Sequence, residues 1–185
     1  MTKCDQVYYI PSAIDESVAK VITNQLIDCQ LEDGVVINGE NNPEKPMRIS
    51  KVHWLNTDHW VAGMMAHFIH QANNNTFQYD LHAWSDKIQY TVYDSVGSKY
   101  GWHTDQCPST FYDGMWRKLS ISLCLTSDYE GGKFQILGGN NKLETYNMLC
   151  GDAVVFSSDL VHRVTPVKSG KRISLVGWFA GPKFK

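Results

Sequence analysis

The spacing of apolar residues changes along the chain, from a helical period in the first part to short runs in the second. Apolar side chains recur every three or four residues over 13–27 and again over 58–71, which predicts two amphipathic helices. Segment 47–55 carries spaced apolar residues and predicts a strand, whereas the polar segment 30–46, with its Gly, Asn and Pro, predicts a loop. The two helices are therefore expected to flank one early strand.

From residue 77 onward, short apolar runs alternate with turn signals such as Gly131-Gly132. Many short strands after two helices indicate an antiparallel sandwich or barrel with a helical buttress. We expect a mainly β, α+β fold in one domain over 1–185, with a helical N-terminal support over 1–76 and a β core over 77–185. The predicted strands of the core are 77–83, 88–94, 99–105, 118–126, 132–138, 142–147, 153–157, 161–166 and 171–179.

Composition excludes several classes of protein. The formal net charge of −2 and the sequence pI of about 6.4 lack the basic surplus that a general nucleic-acid binder usually carries. Five widely spaced cysteines without a C-x-x-C pair argue against a disulfide scaffold and a zinc ribbon, and favour a reducing cytosol. No basic-then-apolar leader and no membrane-length apolar run is present, so we expect a cytoplasmic protein that does not engage a membrane.

Candidate chemistry centres on an H-x-D pair, His103 and Asp105, within the predicted strand 99–105. Residues two apart on a strand share a face, so this pair can present an imidazole nitrogen beside a carboxylate oxygen. His162, in a later predicted strand, is the best third ligand. Two His and one carboxylate with open positions are typical of non-haem Fe(II) oxygenases. An isolated H-x-D pair also arises often by chance, so the prediction depends on the pair occurring together with His162.

Arg172 strengthens this combination. It follows His162 by ten residues, in the apolar segment that also holds Ile173, Ser174 and Leu175. Arg172 and Ser174 share a strand face, and a guanidinium fork with a neighbouring hydroxyl suits a carboxylate. The alternative, a surface charge on an edge strand, is less favoured because the neighbouring side chains are apolar.

Four other polar residues have simpler interpretations. His67 and His70 lie three apart on the second predicted helix, but no third ligand accompanies them. Cys107 is expected as a neutral pocket wall, because no base is evident to activate it. Asp152 follows Gly151 and is expected to stabilise a turn.

The ordered set of motifs resembles the Fe(II)- and 2-oxoglutarate-dependent dioxygenases, in particular the prolyl-4-hydroxylase-like, PKHD-type branch of bacteria and phages. The resemblance covers about 88–182 and is weaker over 48–55. The segments that carry it are Tyr100-Gly101-Trp102-His103-Thr104-Asp105, Lys118-Leu119-Ser120, Asp128-Tyr129-Glu130-Gly131-Gly132, His162-Arg163-Val164-Thr165-Pro166-Val167 and Arg172-Ile173-Ser174-Leu175-Val176-Gly177-Trp178.

The resemblance implies a double-stranded β-helix, also called a jelly-roll or cupin-like fold. It implies that His103, Asp105 and His162 are the iron ligands and catalytic centre. It further implies that Arg172 pairs with the distal carboxylate of the co-substrate 2-oxoglutarate.

A tyrosine hydroxyl is also expected on this co-substrate. The resemblance points to Tyr93, ten residues before the first iron ligand, with Tyr90 and Tyr100 as rivals. Ser174 is a plausible helper at the same carboxylate.

The implied reaction is hydroxylation of a C–H bond with O₂, releasing succinate and CO₂, with ascorbate as a further possible ligand. The implied substrate is a peptide of prolyl type, although collagen-type prolyl hydroxylases tend to carry Lys where this chain has Arg172. The alternatives are the same chemistry on a small molecule or nucleobase, or a cupin-like metal-binding protein without catalysis. Loops 30–46 and 106–117 are expected to select the substrate. The aromatic residues expected either at the mouth or in the core are Trp84, Trp102, Tyr112 and Trp116.

Overall fold

The fold is a pair of packed antiparallel β-sheets with two helices against the outer face of the larger sheet. A computed structural model describes residues 6–35, 46–138 and 142–183. The helices are α1 (Glu16–Gln25) and α2 (Trp60–Ala72), and α2 continues into a π-helical turn, Asn73–Phe77. The strands are β1 (Val7–Ile10), β2 (Glu32–Asp33), β3 (Arg48–Ile49), β4 (Lys51–Leu55), β5 (Ala83–Trp84), β6 (Ile88–Tyr93), β7 (Lys99–His103), β8 (Met115–Cys124), β9 (Tyr129–Gly131), β10 (Phe134–Leu137), β11 (Leu143–Tyr146), β12 (Ala153–Ser157), β13 (Val161–Val164), β14 (Val167–Gly170) and β15 (Arg172–Pro182).

The larger sheet has the order β1-β12-β8-β15-β6-β4-β2, and β5 pairs with β15. The smaller sheet has the order β11-β10-β13-β7-β3, and β14 pairs with β9 in a separate ladder. Strands remote in sequence thus become neighbours, as β7 and β13 do. The predicted mainly β fold with antiparallel sheets and a helical buttress is confirmed.

Alternation along the strands of the larger sheet separates two cores. On β12, Ala153 and Val155 face the helices, whereas Val154 and Phe156 face the smaller sheet. On β15, Leu175 packs under the helices while Arg172 lines a cavity between the sheets. Each fully buried aliphatic side chain contributes roughly 1.5–3 kcal/mol, so this two-residue period holds the inner face in position.

Both helices are shorter than predicted at their N-terminal ends. Helix α1 begins at Glu16 rather than residue 13, and α2 begins at Trp60 after an N-cap at His59. The His59 ring Nδ1 accepts a hydrogen bond of 3.4 Å from the Val61 N–H, which satisfies one donor of the first turn. Within the described residues, neither helix combines the length and apolar character that crossing a membrane would require.

The predicted strand 47–55 is divided at Ser50. Its first part, β3, belongs to the smaller sheet, and its second part, β4, belongs to the larger one. The chain therefore crosses between the sheets here and closes one side of the cavity. Of the predicted loop 30–46, the described part contains β2, and 36–45 lie outside the described residues.

The strand predicted over 77–83 is wrong. The π-helical turn holds Phe77, Gln78 follows with φ 54°, and only Ala83–Trp84 is extended. The prediction also missed β9 and β14, which pair with each other. Both are short and contain Gly and charged residues, so the local pattern carries little strand signal.

Candidate metal centre

Three side chains meet between the two sheets. Strands β7 and β13 are paired so that His103 lies directly opposite His162. Asp105 lies two residues beyond the end of β7, and its N–H donates to the Ser158 carbonyl at 2.9 Å. One ligand atom from each of the three lies within 4.8 Å of the others. The structure thus brings together the three residues predicted as metal ligands, although strand β7 ends before the aspartate.

Both imidazoles are held in the orientation that a metal requires. The Nδ1 atoms of His103 and His162 lie 2.8 Å from the Gly101 carbonyl and 2.9 Å from the Leu160 carbonyl. A carbonyl only accepts, so each Nδ1 donates a hydrogen bond and each Nε2 keeps its lone pair for a metal. The two Nε2 atoms lie 3.6 and 3.5 Å from the two oxygens of Asp105.

Burial and charge hold these groups in the protonation states that a metal requires. Burial, reinforced by the neighbouring His162, lowers the pKa of His103 to about 4, so this imidazole is neutral at physiological pH. Burial opposes ionisation of Asp105, but His162, His103 and Arg117 together hold its pKa below the ordinary value. The site therefore offers one carboxylate and neutral imidazole.

Aromatic rings fix the imidazoles from the sides. Tyr100 stacks on His103 with ring centroids 3.6 Å apart and planes 15° apart. Phe156 meets His162 edge to face at 4.6 Å, and Phe134 lies 5.7 Å away. These contacts restrict ring rotation and exclude water from one side of the site.

Arg172 lies in the same cavity, with 1% of its surface exposed. It is on β15, a central strand, so the alternative of an edge-strand surface charge is wrong. Its Nη1 donates to the Ser174 hydroxyl at 3.1 Å. Its Nε and Nη2 are buried and form no hydrogen bond with the part of the chain that is described. A buried cation with free donors favours an anionic ligand.

Among the three tyrosines considered for this ligand, Tyr93 lies directly opposite Arg172 on the neighbouring strand. The Arg172 guanidinium carbon is 5.3 Å from the Tyr93 ring centroid, and both side chains line the cavity. Tyr90 packs in the core beneath the helices. Tyr100 lines the cavity but is stacked on His103. The geometry favours Tyr93.

Tyr129 and Gly132, which had no predicted role, pack against Arg172. The Tyr129 hydroxyl donates to the Met148 carbonyl at 3.0 Å. A Cβ at Gly132 would lie 2.9 Å from Cδ of Arg172, and the residue has φ +53°. Glycine is therefore required for the arginine to pack here. The only sequence signal was the motif Tyr129-Glu130-Gly131-Gly132 itself.

The cavity has a volume of about 590 Å³, within the usual range for small-molecule sites. Its walls include Arg48, Trp54, Arg117 and Trp178, none of which the sequence analysis selected. They come from four strands: Arg48 lies on β3 of the smaller sheet, and the other three lie on β4, β8 and β15 of the larger sheet. Only the packing of the two sheets brings them to one cavity.

The four aromatic residues expected either at the mouth or in the core are absent from the described residues that line the cavity. Trp84 packs against Phe179 with centroids 4.8 Å apart, in the core on the helical side. Trp102 carries the Arg163 guanidinium at 4.3 Å on the outer surface. Tyr112 is exposed, and Trp116 lies under Lys183.

The remaining polar residues behave as structural groups. Cys107 lines the cavity, and burial raises the pKa of its thiol, which keeps it neutral as predicted. Asp152 accepts hydrogen bonds from the Tyr9 hydroxyl and from the backbone N–H groups of Ser12 and Leu149. His70 packs edge-on against Phe179 at 5.1 Å.

Comparison with known proteins places this geometry in a family. Residues 88–180 match the model of the 2OG-Fe(II) oxygenase superfamily. A PKHD-type hydroxylase of Synechococcus sp. (strain CC9605) is 39% identical over 87 residues, which cover 45% of this chain and 37% of that protein. The match thus spans little more than a third of that relative's length.

Two solved structures have the same fold at low identity. A prolyl hydroxylase of Trichoplax adhaerens, in complex with a peptide fragment of the hypoxia inducible factor oxygen degradation domain, has a TM-score of 0.77 at 17% identity. That match covers 95% of this chain and 83% of the other. The viral collagen prolyl hydroxylase of Paramecium Bursaria Chlorella virus-1, as its 2OG complex, has a TM-score of 0.71 at 18% identity, covering 97% and 99%. The family model spans half of the chain, and its matched segment holds both histidines, the aspartate and Arg172: this protein belongs to the 2OG-Fe(II) oxygenase superfamily.

Proposed function

We propose that this protein is an Fe(II)- and 2-oxoglutarate-dependent hydroxylase. His103, Asp105 and His162 hold the iron, and Arg172 holds the distal carboxylate of 2-oxoglutarate. One observation carries the proposal: a cavity of about 590 Å³ contains both a His–Asp–His ligand group within 4.8 Å and a buried guanidinium with two free nitrogens. A metal-binding protein without catalysis would not need the buried guanidinium.

The chain's own residues bind and orient the reactants. The Gly101 and Leu160 carbonyls accept hydrogen bonds from the Nδ1 atoms of the two imidazoles, so both Nε2 lone pairs would be available to a metal. Ser174 fixes Arg172 through Nη1, which leaves Nε and Nη2 for a carboxylate. When bound, iron and 2-oxoglutarate supply the oxidising chemistry that converts a C–H bond to C–OH, with release of succinate and CO₂.

For the substrate we propose a peptide of prolyl type. Two likenesses support this choice: the Synechococcus relative is described as a PKHD-type hydroxylase, and the Trichoplax structure contains a peptide. The apolar walls formed by Trp54, Val176 and Trp178 suit a pyrrolidine ring.

Succinate formation tests the proposed activity. Purified protein is incubated with O₂ and 2-oxoglutarate, with and without Fe(II), and succinate is measured by mass spectrometry. We expect succinate only when both iron and 2-oxoglutarate are present, and more of it when a proline-containing peptide is added.

Arg163→Gln is the matched control, because Arg163 stacks on Trp102 outside the cavity. This variant should retain activity, whereas His103→Ala should have none. Full activity in His103→Ala, or no succinate from the iron-loaded wild type, would refute the proposal.

A further inference from the structure

A second buried arginine lines the same cavity and has no role in the proposed iron and 2-oxoglutarate sites. Arg48 is 7% exposed. Its Nε donates to the Ser50 hydroxyl at 2.8 Å, and its Nη1 donates to the Val35 carbonyl at 3.1 Å. Its Nη2 is buried and makes no hydrogen bond to the described residues. Hydrogen bonds from two of the three nitrogen atoms thus fix the guanidinium, and the third nitrogen, Nη2, has no partner among the described residues.

The surroundings of Arg48 are built for a close fit. A Cβ at Gly34 would lie 2.5 Å from Nε and 2.9 Å from Cζ, so any larger residue would collide with the guanidinium. The guanidinium carbon also lies 4.5 Å from the Tyr100 ring centroid. The arginine therefore packs against both a glycine and an aromatic ring.

No carboxylate neutralises Arg48 within the chain as described. The ion pairs up to 4.0 Å among the described residues do not include it. Glu32 and Asp33 line the cavity on an exposed strand, but neither reaches ion-pair distance. A buried cation without an anionic partner is costly, so its retention beside a cavity indicates a ligand that supplies the anion.

Arg48 is on a different side of the cavity from Arg172. It belongs to β3 of the smaller sheet, whereas Arg172 belongs to β15 of the larger sheet. Tyr100 contacts both Arg48 and His103, so one aromatic ring separates the guanidinium from the proposed iron site. A ligand held by Arg48 would therefore share one cavity with the proposed iron site, while 2-oxoglutarate occupies Arg172.

We propose that Arg48 binds a carboxylate of the organic substrate, so that the hydroxylated molecule is an acid whose anionic group lies near the target C–H bond. The inference rests on the proposed iron- and 2-oxoglutarate-dependent activity and adds an acidic group to its substrate: an acidic peptide keeps the proposed peptide class, and a free acid replaces it. A guanidinium nitrogen matches a carboxylate oxygen in charge and geometry. The apolar walls of Trp54 and Trp178 then receive the rest of the molecule. The carboxylate belongs either to a free acid, such as an amino acid, or to an acidic side chain of a peptide.

The test compares acids with their neutral amides. The protein is loaded with Zn(II), which is redox-inert, and saturated with 2-oxoglutarate to occupy Arg172. Ligand-observed NMR then measures binding of two panels: free amino acids paired with their amides, and end-blocked proline peptides with Glu or Gln beside the proline. Wild type is compared with Arg48→Gln, Arg48→Lys and the control Arg163→Gln, and thermal unfolding shows which variants are folded.

We expect at least one acid to bind wild type and Arg163→Gln about tenfold or more tightly than its amide, as a lost charge-assisted contact implies. The preference should fall to within about twofold in Arg48→Gln and be largely kept in Arg48→Lys. The panel that contains the preferred acid identifies the source of the carboxylate.

Any of three results would overturn the inference. Acids and amides could bind equally well, every acid could fail to bind at millimolar concentration, or the preference for acids could persist in Arg48→Gln. If Arg48→Gln does not fold, the wild-type comparison of acid with amide decides alone. Binding of 2-oxoglutarate in the same samples is measured separately, and its absence would refute the proposed function instead.

Discussion

Replacing Arg172 with Met should change stability and ligand affinity in opposite directions. The Arg172 guanidinium is buried, with Nε and Nη2 unpaired among the described residues, and the ion pairs of the described residues do not include it. Without a ligand, this buried charge therefore lacks an anionic partner in the described part of the chain. Methionine has a similar length, is flexible, and removes the charge while filling much of the space. The unliganded protein should therefore become more stable, and 2-oxoglutarate should bind more weakly.

The contacts of Arg172 determine the expected sizes of the changes in stability and in affinity for 2-oxoglutarate. The desolvation penalty of a buried ion is several kcal/mol after relaxation. Against this, Arg172→Met loses one charged hydrogen bond to Ser174, worth about 1.5–3 kcal/mol, and the contact with the Tyr93 ring, worth about 1–2 kcal/mol. Replacing a buried ionic group by an apolar residue of similar volume is often neutral or stabilising by about 1–4 kcal/mol, so we expect a gain at the low end of this range, about 1 kcal/mol, in the free energy of unfolding. Loss of two charge-assisted bonds to a carboxylate costs about 3–5 kcal/mol, which is roughly a hundred- to several-thousand-fold in affinity.

Urea unfolding of the metal-free protein measures the first quantity, and calorimetric titration of 2-oxoglutarate into Mn(II)-loaded protein without O₂ measures the second. Arg163→Met is the control, since Arg163 donates to Gln135 at 2.7 Å outside the cavity and should leave affinity unchanged. A destabilisation of more than about 2 kcal/mol together with wild-type affinity would refute the reasoning.

Three other outcomes are expected. His103→Ala should lose metal binding by at least about a hundredfold, measured by titration with Mn(II), because one of three ligands is removed; wild-type affinity would contradict the ligand assignment. Metal-free protein should lose on the order of 3 kcal/mol of stability as the pH falls from about 6.5 to about 4. Burial lowers the pKa of His103 to about 4, so in this range the unfolded chain binds a proton that the folded chain does not. A urea midpoint that stays constant over this range would count against this effect of His103. Asp86→Asn should lower the free energy of chemical unfolding by about 3–5 kcal/mol, because the buried Arg117 loses the carboxylate that lies 2.8 Å from its Nε. An effect below about 1 kcal/mol would show that this ion pair is dispensable.

The residues proposed to bind iron and 2-oxoglutarate could be selected from the sequence because each lies in a segment with a clear local signal. His103 and Asp105 form a compact motif, and Arg172 alternates with apolar residues that indicate a buried strand. Successive side chains of a strand point to opposite faces of the sheet. On β15, every second residue from Arg172 to Trp178 accordingly lines the cavity.

The walls of the cavity could not be selected in this way. Arg48 and Trp54 lie in one short segment, yet the division at Ser50 puts their strands in different sheets. Trp84 and Trp178 both lie on strands of the larger sheet, but Trp84 packs on the helical side and Trp178 lines the cavity. Such differences depend on pairing between remote strands, which a local pattern does not encode.

The central claim is that His103, Asp105 and His162 bind one metal ion while Arg172 binds 2-oxoglutarate beside it. A crystal structure of the protein grown with Mn(II) and 2-oxoglutarate, without O₂, tests it most directly. We expect one metal ion bonded to both Nε2 atoms and to the Asp105 carboxylate, with the distal carboxylate of 2-oxoglutarate on Nε and Nη2 of Arg172. A metal ion bound elsewhere, or 2-oxoglutarate with its carboxylate away from Arg172, would contradict it.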